Sequence, residues 1–343
     1  MSFYDGSKLL SMKDLSGEKP EIYICTSNRS AGKTTWFTKY VINQYIKKDK
    51  KFAFLYRFKY ELDDCADKIF KDVQTLFFPD HFLKSEKRAD GVYHELYLND
   101  ASCGYVLCLN SADQIKKLSH FFSDISCIVF DEFQSETNTY CSNEISKFQS
   151  IHTSVARGQK KQVRYVPVYM ISNPITLLNP YYIAMGISDR IRTNTKFLKG
   201  NGYVLEQGFN ESAAKLQESS GFNRAFSRTQ YTAYAAQGIY LNDNQAFIDS
   251  PSGKGRYLAT LRYNGIDFGV REFAADGIIY VDKKPDHTYK LKIAVTKEDH
   301  TVNYVLIKQN EFFLSALRDY FNQGCFRFKD LQCKDALIKA ISY

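Results

Sequence analysis

Residues 22–35 read IYICTSNRSAGKTT, an apolar run that ends in small polar residues and a Gly-Lys-Thr-Thr turn. The apolar run predicts a buried strand, and the spacing of apolar residues from Trp36 to Ile46 predicts a helix directly after the turn. A strand, a small-residue turn and a helix together are typical of a phosphate-binding loop, in which backbone N–H groups converge at the helix N-terminus. This stretch therefore predicts a nucleotide site.

The end of this stretch fits the phosphate-loop pattern G-x-x-x-x-G-K-[ST] better than its start does. Gly32, Lys33 and Thr34 supply the close backbone approach, the lysine for the outer phosphates and the hydroxyl for Mg²⁺. The first glycine of the pattern is absent, and Ser27 stands in its place. Threonine is also common at helix N-termini for capping reasons alone, so the interpretation depends on the rest of the chain.

Composition sets the class of protein. The 343 residues are enough for two domains, and a hydrophobic fraction of 44% with a charged fraction of 24% is ordinary for a soluble globular protein. The net charge of +8 is compatible with a polyanionic partner. The eight cysteines contain no C-x-x-C pair, which indicates reduced thiols rather than a zinc site. No signal-type or membrane-length apolar segment is present, so we expect a soluble cytoplasmic protein.

A second stretch, residues 125–133, reads ISCIVFDEF, an apolar strand that ends in two carboxylates. Successive strand residues point to opposite sides, so Asp131 and Glu132 can take different roles. In a nucleotide site the first would hold Mg²⁺ and the second would act as general base toward the attacking water. An acidic turn after a strand is the alternative, but the position roughly a hundred residues after a phosphate loop favours a nucleoside triphosphatase.

Two further strand ends carry polar residues. A strand predicted at Tyr165 to Ile171 ends in Ser172-Asn173, whose amide could sense the outermost phosphate; initiation of a turn before Pro174 explains it equally well. Arg57 and Lys59 follow a strand predicted at residues 52–56, where ligands of α/β sheets gather, although a solvated charged turn is at least as compatible.

The chain changes character after about residue 200. Glycines punctuate residues 201–244, which we interpret as a linker with one short helix at 211–220. Strands dominate from residue 245, and two helices at 309–320 and 331–341 close the chain, which predicts an α+β domain. The predicted boundaries are therefore 1–203 for a nucleotide domain, 204–243 for a linker and 244–343 for a second domain.

With these elements placed, the chain resembles the DNA-packaging (encapsidation) ATPases of small short-tailed bacteriophages. The resemblance rests on matching elements along the chain: Arg29-x-x-Gly32-Lys33-Thr34, Tyr56-Arg57-x-Lys59-x-Glu61-Leu62, Ile128-Val129-Phe130-Asp131-Glu132-Phe133, Ser172-Asn173 with Asn179-Pro180-Tyr181-Tyr182, Asp243-Asn244-Gln245, Tyr263-Asn264-Gly265 and Gly324-Cys325-Phe326-Arg327-Phe328. The Asp-Glu-Phe and Asn-Pro-Tyr elements are the more specific of these.

The resemblance implies a fold, cofactors and partners. It implies an α/β additional-strand P-loop ATPase domain, a linker, and a smaller α+β domain like a ribonuclease-H-type nuclease that has lost its catalytic acids. It further implies ATP and Mg²⁺ as ligands and a homopentameric ring at the portal of an empty procapsid, driving double-stranded viral DNA inward. The ring would act in the host cytoplasm and be absent from the mature virion. A packaging RNA accompanies some members, and nothing in this sequence shows one.

The resemblance also implies roles for individual residues. The nucleotide-binding residues would be Ser27, Asn28, Arg29, Ser30, Ala31, Gly32, Lys33, Thr34 and Thr35. Thr34 and Asp131 would bind Mg²⁺. The catalytic residues would be Glu132, Asn173, Arg29 as a cis-acting arginine and Arg157 as an arginine finger that reaches a neighbour's site. Lys59 and Lys117 would contact DNA.

Three alternatives remain open from the sequence. Val295-Thr296-Lys297-Glu298-Asp299 fits the guanine-reading pattern [NT]-K-x-D of GTPases, although a charged turn explains it better. Ser27 leaves open a nucleic-acid-binding assembly factor with a vestigial phosphate loop. An active nuclease in the second domain could draw on five carboxylates, although their spacing marks no two-metal site: Asp243, Asp249, Asp267, Asp276 and Asp282.

Overall fold

The structure is a computed structural model that describes residues 4–136, 139–158, 162–177, 179–188, 190–191, 195–226, 246–248 and 250–342. The Asp243-Asn244-Gln245 element, Asp249 and the expected boundary at 244 lie outside the described residues. The chain divides into two compact units, one of Met1–Ile175 with Arg192–Leu241 and one of Thr176–Ile191 with Asn242–Tyr343.

The elements alternate between strands and helices in the first unit, as the sequence predicts. In chain order the strands are β1 (Ile22–Thr26), β2 (Phe52–Tyr56), β3 (Leu83–Arg88), β4 (Tyr93–Leu98), β5 (Ala101–Cys108), β6 (Cys127–Asp131), β7 (Val168–Ser172), β8 (Phe197–Gly200), β9 (Tyr203–Gln207), β10 (Arg256–Tyr263), β11 (Ile266–Phe273), β12 (Ile278–Asp282), β13 (Lys292–Ala294), β14 (Val305–Leu306) and β15 (Phe326–Phe328). The helices are α1 (Ser7–Ser11), α2 (Lys33–Lys48), α3 (Lys59–Phe77), α4 (Ala112–Lys117), α5 (Glu144–Val155), α6 (Pro180–Ala184), α7 (Glu211–Ser219), α8 (Gly221–Ala225), α9 (Glu311–Asn322) and α10 (Leu331–Ile341).

The first unit is built on one mixed sheet. Its described strands run in the order β3-β4-β5-β2-β6-β7-β1-β9-β8. The six strands from β5 to β9 in this order pair in parallel, while β3, β4 and β8 are antiparallel additions at the two edges. β7 lies between β1 and β6, and this is the inserted strand that defines the additional-strand P-loop arrangement. The fold class expected from the sequence is confirmed.

The parallel strands are mostly apolar and buried, as expected of a sheet that is covered by helices. β2 is buried at all five residues. Phe37 and Val41 of α2 and Phe70 of α3 belong to the same buried cluster as Phe54 and Val129 of the sheet. Covering the sheet in this way leaves the carboxyl ends of β1, β2, β6 and β7 along one edge, which is where α/β sheets bind ligands.

Two local expectations differ from the structure. The helix expected from Ala112 to Phe122 stops at Lys117, and a 3₁₀ turn at Ser119–Phe122 replaces its second half. After β2, where the sequence allowed a solvated charged turn at Arg57 and Lys59, a helix forms instead, because α3 begins at Lys59. The carboxylate of Glu61 accepts a hydrogen bond from the Phe58 N–H at 2.8 Å, which satisfies a donor at the start of this helix.

The segment expected to be a linker contains ordered elements. β9 pairs with β1 in the central sheet, and the helix expected at 211–220 is confirmed as α7. Both elements belong to the first compact unit. The domain boundaries at 203 and 243 stay a prediction.

The second unit is an α+β domain. Its described strands run in the order β14-β13-β10-β11-β12-β15, with β10, β11 and β12 antiparallel and β13 and β14 joining in parallel. α9 and α10 supply Leu317 and Leu337 to a core that also holds Leu261 and Val281. Three antiparallel strands continued by parallel ones match the ribonuclease-H-like arrangement that the sequence resemblance implies.

Candidate functional site

The loop between β1 and α2 has the backbone geometry of a phosphate-binding loop. Gly32 has φ 87° and ψ 23°, in the left-handed region that glycine enters without steric cost. Ser30 is also left-handed, with φ 60°. These turns end directly at Lys33, the first residue of α2, so the N–H groups at the start of a 16-residue helix lie at the loop.

Lys33 is buried beneath the loop and held by its carbonyls. Its Nζ donates to the Ser27 carbonyl at 2.9 Å, to Ser27 Oγ at 3.1 Å and to the Asn28 carbonyl at 3.3 Å. It also donates to Asn173 Oδ1 at 3.2 Å, which ties the loop to the end of β7. Burial lowers the pKa of Lys33, an effect that nearby acidic groups including Asp131 oppose. The ammonium group therefore lies between the loop and the strand end.

Thr34 and Asp131 form the candidate Mg²⁺ site. Thr34 Oγ1 donates to Asp131 Oδ1 at 3.3 Å, so a hydroxyl and a carboxylate from α2 and β6 adjoin each other. Mg²⁺ prefers a few protein oxygens and completes its shell with water and phosphate oxygens. An all-oxygen pair at the rim of a phosphate loop fits that preference.

Glu132 follows Asp131 in a strained backbone conformation. Its φ of 51° is unusual for a residue other than glycine, and such outliers concentrate at functional sites. The Glu132 N–H donates to Asp131 Oδ1 at 3.0 Å, which ties the Asp131 carboxylate to the backbone of the turn. The turn places both carboxylates on one cavity.

Arg57 anchors this turn, a role that sequence reasoning did not find. Its guanidinium donates to the Glu132 carbonyl at 3.3 Å and to the Phe133 carbonyl at 2.7 Å. It also forms a buried ion pair with Glu144, the first residue of α5, at 3.1 Å. The sequence placed Arg57 at a strand end where a ligand could meet it, but the side chain faces inward and positions the Glu132 backbone instead.

The electrostatics of the carboxylates follow from their confinement. Burial raises the pKa of Asp131 to about 7, and the charge of Glu132 adds to the effect. Loss of surrounding water also raises the pKa of Glu132, with Glu136 as the next contributor. A cation that binds beside two carboxylates held this close together reduces the repulsion between their charges.

These residues surround one cavity of about 270 Å³. Its lining contains most of the residues implied by the sequence resemblance: Arg29, Ser30, Ala31, Gly32, Lys33, Thr34, Thr35, Asp131, Glu132, Ser172 and Asn173. Ser27 and Asn28 are buried below the loop and meet Lys33 instead of the cavity. Arg29 is paired with Glu136 at 3.2 Å on the rim.

Three of the implied residues lie away from the described cavity lining. Arg157 is exposed in the segment that follows α5. Lys59 is exposed at the start of α3 and donates to the Asp90 carbonyl at 3.0 Å. Lys117 is exposed at the end of α4. Each is accessible to a partner molecule.

The aspartate of the guanine-reading pattern is already engaged within the protein. Asp299 is buried, and its carboxylate accepts hydrogen bonds from the N–H groups of Asn264 and Gly265 at 2.9 and 2.8 Å and from Thr296 Oγ1 at 2.7 Å. These bonds hold the turn between β10 and β11. The pattern is therefore explained by a turn within the second unit.

The carboxylates of the second unit are engaged as well. Asp267 forms two hydrogen bonds with Arg262 at 2.7 and 2.9 Å, and Asp282 pairs with Arg271 at 2.5 Å. Within the described ranges no group of three or more acidic, histidine or cysteine side chains is arranged to hold a metal ion. Among the same residues, no helix is long and apolar enough to cross a membrane.

Comparisons with known proteins agree with this geometry. The DNA packaging protein of Bacillus phage phi29 is 26% identical over 330 residues, which cover 95% of this chain and 93% of that relative. A chain of the bacteriophage Phi-29 viral genome packaging motor assembly superposes with a TM-score of 0.63 at 25% identity, covering 100% of this chain and 98% of that one. The Phi-28 gp11 DNA packaging motor shares the fold, with a TM-score of 0.59 at 16% identity over 99% of this chain and 96% of that chain.

A family model decides the assignment. The model described as Podovirus DNA encapsidation protein (Gp16) matches residues 2–341, nearly the whole chain. The chain therefore belongs to the podovirus DNA encapsidation protein family and is a viral genome-packaging protein.

Proposed function

We propose that this chain hydrolyses ATP to ADP and phosphate and uses the energy to drive double-stranded viral DNA into a preformed procapsid. One observation carries the proposal: a phosphate-loop lysine, a threonine hydroxyl, two carboxylates and a strand-end amide converge on one cavity. Those are the groups that phosphoryl transfer requires, and they come from three separate parts of the fold: the start of α2, the end of β6 and the end of β7.

The residues of the loop bind the phosphates. Lys33 exchanges its contacts with the Ser27 and Asn28 carbonyls for the outer phosphate oxygens, while the N–H groups of the loop donate hydrogen bonds to the other phosphate oxygens. Arg29 leaves Glu136 to contact a phosphate of the same site. Thr34 and Asp131 would hold Mg²⁺, which would neutralise charge on the phosphate oxygens.

Glu132 and Asn173 act at the outermost phosphate. The Glu132 carboxylate accepts the proton of the attacking water, a role for which its raised pKa improves the match to neutral pH. Asn173 contacts both the outermost phosphate and Lys33, so that loss of the phosphate changes the environment of β7. The Arg57 contacts keep the Glu132 backbone in place throughout.

Arg157 completes the site of a neighbouring subunit. An exposed arginine that follows α5 can stabilise charge on a neighbour's phosphoryl group, an effect worth about three to five powers of ten in rate elsewhere. Lys59 and Lys117 contact DNA phosphates. A pentameric ring at the procapsid portal, in the host cytoplasm and with or without a packaging RNA, provides the neighbours and is released before the virion matures.

Steady-state ATP hydrolysis tests this proposal, measured over a protein concentration series with and without duplex DNA. We expect specific activity to rise with concentration as rings form. Arg157→Ala and Glu132→Gln should each be inactive alone, yet partly active when mixed, because an intact Glu132 site then receives Arg157 from its neighbour. A mixture of two Glu132→Gln preparations is the matched control.

Three outcomes would contradict the proposal in different places. Constant specific activity, together with normal activity of Arg157→Ala, would show that each subunit completes its own active site. Preferential turnover of GTP would revive the GTPase alternative. Absence of any turnover, with DNA binding intact, would favour a nucleic-acid-binding assembly factor with a vestigial loop.

A further inference from the structure

The segment after β9 lies beside the phosphate loop because of the sheet topology. β1 and β9 are parallel neighbours in register up to Thr26 and Gln207, so the residues beyond these two ends continue side by side. The Gly208 N–H donates to the Thr26 carbonyl at 2.7 Å, which extends the pairing past the strands. α7 therefore begins next to the loop.

Asn28 joins the loop to the start of α7. Its side chain is fully buried, its Nδ2 donates to the Asn210 carbonyl at 3.1 Å and its Oδ1 accepts from the Asn210 N–H at 2.9 Å. The side chain of Asn210 in turn accepts from the Ala213 N–H at 3.0 Å and so caps α7. One amide side chain thus binds both polar groups of the residue that starts the helix.

A second contact joins the middle of the same helix to the loop. Gln217 Nε2 donates to Ser30 Oγ at 3.0 Å. Asn223 of α8 donates to the Gln217 carbonyl and to its Oε1 at 2.8 and 2.9 Å, which fixes the orientation of the Gln217 amide. Gln217 therefore holds Ser30, the loop residue that has a left-handed backbone with φ 60° although it is not glycine.

Both contacts fall where this loop departs from the glycine-rich pattern. The position of the first glycine holds Ser27, next to Asn28, and Ser30 has a backbone conformation that glycine adopts more easily. We propose that α7 is a working part of the phosphate loop, with Asn28 and Gln217 as positioning residues that hold a glycine-poor loop in its phosphate-binding conformation. The inference rests on the proposed function, because it takes a nucleoside triphosphate as the ligand.

The contacts make nucleotide binding and docking of α7 interdependent. A loop that is already ordered binds phosphate without first losing conformational freedom, which increases affinity. By linkage, a bound nucleotide stabilises docking of α7 by the same factor. Neither Asn28 nor Gln217 lines the described cavity, so their effect falls on binding and not on the chemical step.

Equilibrium binding of a fluorescent ATP analogue with Mg²⁺ measures the first consequence. We expect Gln217→Ala to raise Kd about 3- to 10-fold, as for one lost hydrogen bond, with kcat within about twofold of wild type. Asn28→Ala should raise Kd about 10-fold or more, because it removes two hydrogen bonds. Lys215→Ala, an exposed change on the same helix, is the control and should leave Kd unchanged. Unchanged Kd in both test variants would overturn the inference.

A rescue experiment separates positioning from general destabilisation. Ser30→Gly relieves the left-handed strain, so the loop should no longer need Gln217. In a double-mutant cycle we expect Gln217→Ala to cost less than about twofold in Kd when Ser30→Gly is present. A full loss of affinity in the Ser30→Gly background would contradict the inference, because it would show that Gln217 acts independently of the loop conformation.

Hydrogen exchange of α7 supplies a readout that requires no turnover. Addition of the analogue and Mg²⁺ should slow amide exchange over residues 211–219 in the wild-type protein and fail to slow it in Asn28→Ala at saturating ligand. Equal slowing in both proteins would refute the coupling. A wild-type protein that binds no ATP would instead refute the proposed function, so the two failures are distinguishable.

Discussion

Asp131 and Glu132 at the end of β6 and Asp267 in β11 are carboxylates with opposite environments. Asp131 and Glu132 line an open cavity and, within the described residues, form no ion pair. Asp267 is held by Arg262 in a two-point ion pair and accepts a further hydrogen bond from Tyr304 at 2.8 Å. The first pair keeps its charge available for a ligand, whereas the charge of Asp267 is already neutralised.

The pKa directions record the same difference. Burial raises the pKa of Asp131 to about 7. Burial alone would also raise the pKa of Asp267, but the hydrogen bonds from Arg262 and Tyr304 lower it below its ordinary value. An acidic side chain that is buried beside a cavity without an ion-pair partner is a candidate for ligand binding, and one that is paired internally is a structural element.

The largest expected difference between the two places is catalytic. Glu132→Gln should lower kcat for ATP by about 10²- to 10⁴-fold, the usual contribution of a general base, while ATP binding persists. Asp267→Asn is the matched change and should leave kcat within about twofold. Measurement of kcat for both variants under the same conditions checks this. Equal losses of kcat would contradict a special role for Glu132.

Arg57 in the first unit and Arg262 in the second each pair with a carboxylate, and their removal should differ in its effect on stability. The Arg57 and Glu144 side chains are 6% and 2% exposed, against 28% and 10% for Arg262 and Asp267. Arg57→Ala should therefore cost about 3–5 kcal/mol of unfolding free energy, because it leaves a buried carboxylate unpaired. Arg262→Ala should cost less in the same urea titration.

Arg57→Lys keeps the test interpretable if Arg57→Ala fails to fold. Lysine retains the charge but cannot reproduce the fork that contacts Glu144 and the two carbonyls. We expect a folded protein with reduced kcat, because the Glu132 turn loses its anchor. A normal kcat in Arg57→Lys would show that the ion pair alone is sufficient.

The third difference concerns pH. In the folded, metal-free protein the Asp131 pKa of about 7 exceeds the ordinary 3.8, so the folded state holds a proton that the unfolded state has lost. Asp131 therefore reduces stability as pH rises from about 4 to 7. Asp131→Asn should stabilise the protein by about 2 kcal/mol more at pH 8 than at pH 5. Urea unfolding with a chelator measures this, and an equal gain at both values would contradict it.

The smallest expected effect has the opposite sign. The lowered pKa of Asp267 makes its ion pair stabilising above about pH 4, and this contribution disappears as pH falls through the folded-state pKa. Asp267→Asn should cost about 1 kcal/mol at pH 5 and progressively less toward pH 2. Unfolding midpoints over that range test it; a constant cost would mean that packing, and not charge, dominates.

The sequence was sufficient wherever the signal is contiguous. Gly32, Lys33 and Thr34 lie in one turn, and Asp131 and Glu132 follow one another at the end of an apolar strand, so local pattern predicted an α/β nucleotide domain and these residues of the candidate site. The same patterns predicted the α+β character of the second unit. The additional-strand arrangement was implied by the family resemblance.

The residues that support the site could not be read in this way. Arg57 contacts Glu144 and Phe133 at sequence separations of 87 and 76 residues, and Asn28 contacts Asn210 at a separation of 182. No local periodicity encodes such pairs, because the sheet order creates them. A charged residue at a strand end looks the same in sequence whether it faces a ligand or anchors a neighbouring turn.

α5 connects the Glu132 turn to Arg157. Its first residue, Glu144, is fixed to Arg57 beside the Glu132 turn, and Arg157 follows two residues after its last residue, Val155. Twelve residues of helix make a stiff rod of about 18 Å. A tilt of about 5° at the anchored end moves the far end by about 1.6 Å, which is enough to make or break an arginine–phosphate contact. If Arg157 acts on a neighbouring subunit as proposed, α5 would transmit a small displacement beside one site to the site of the next subunit.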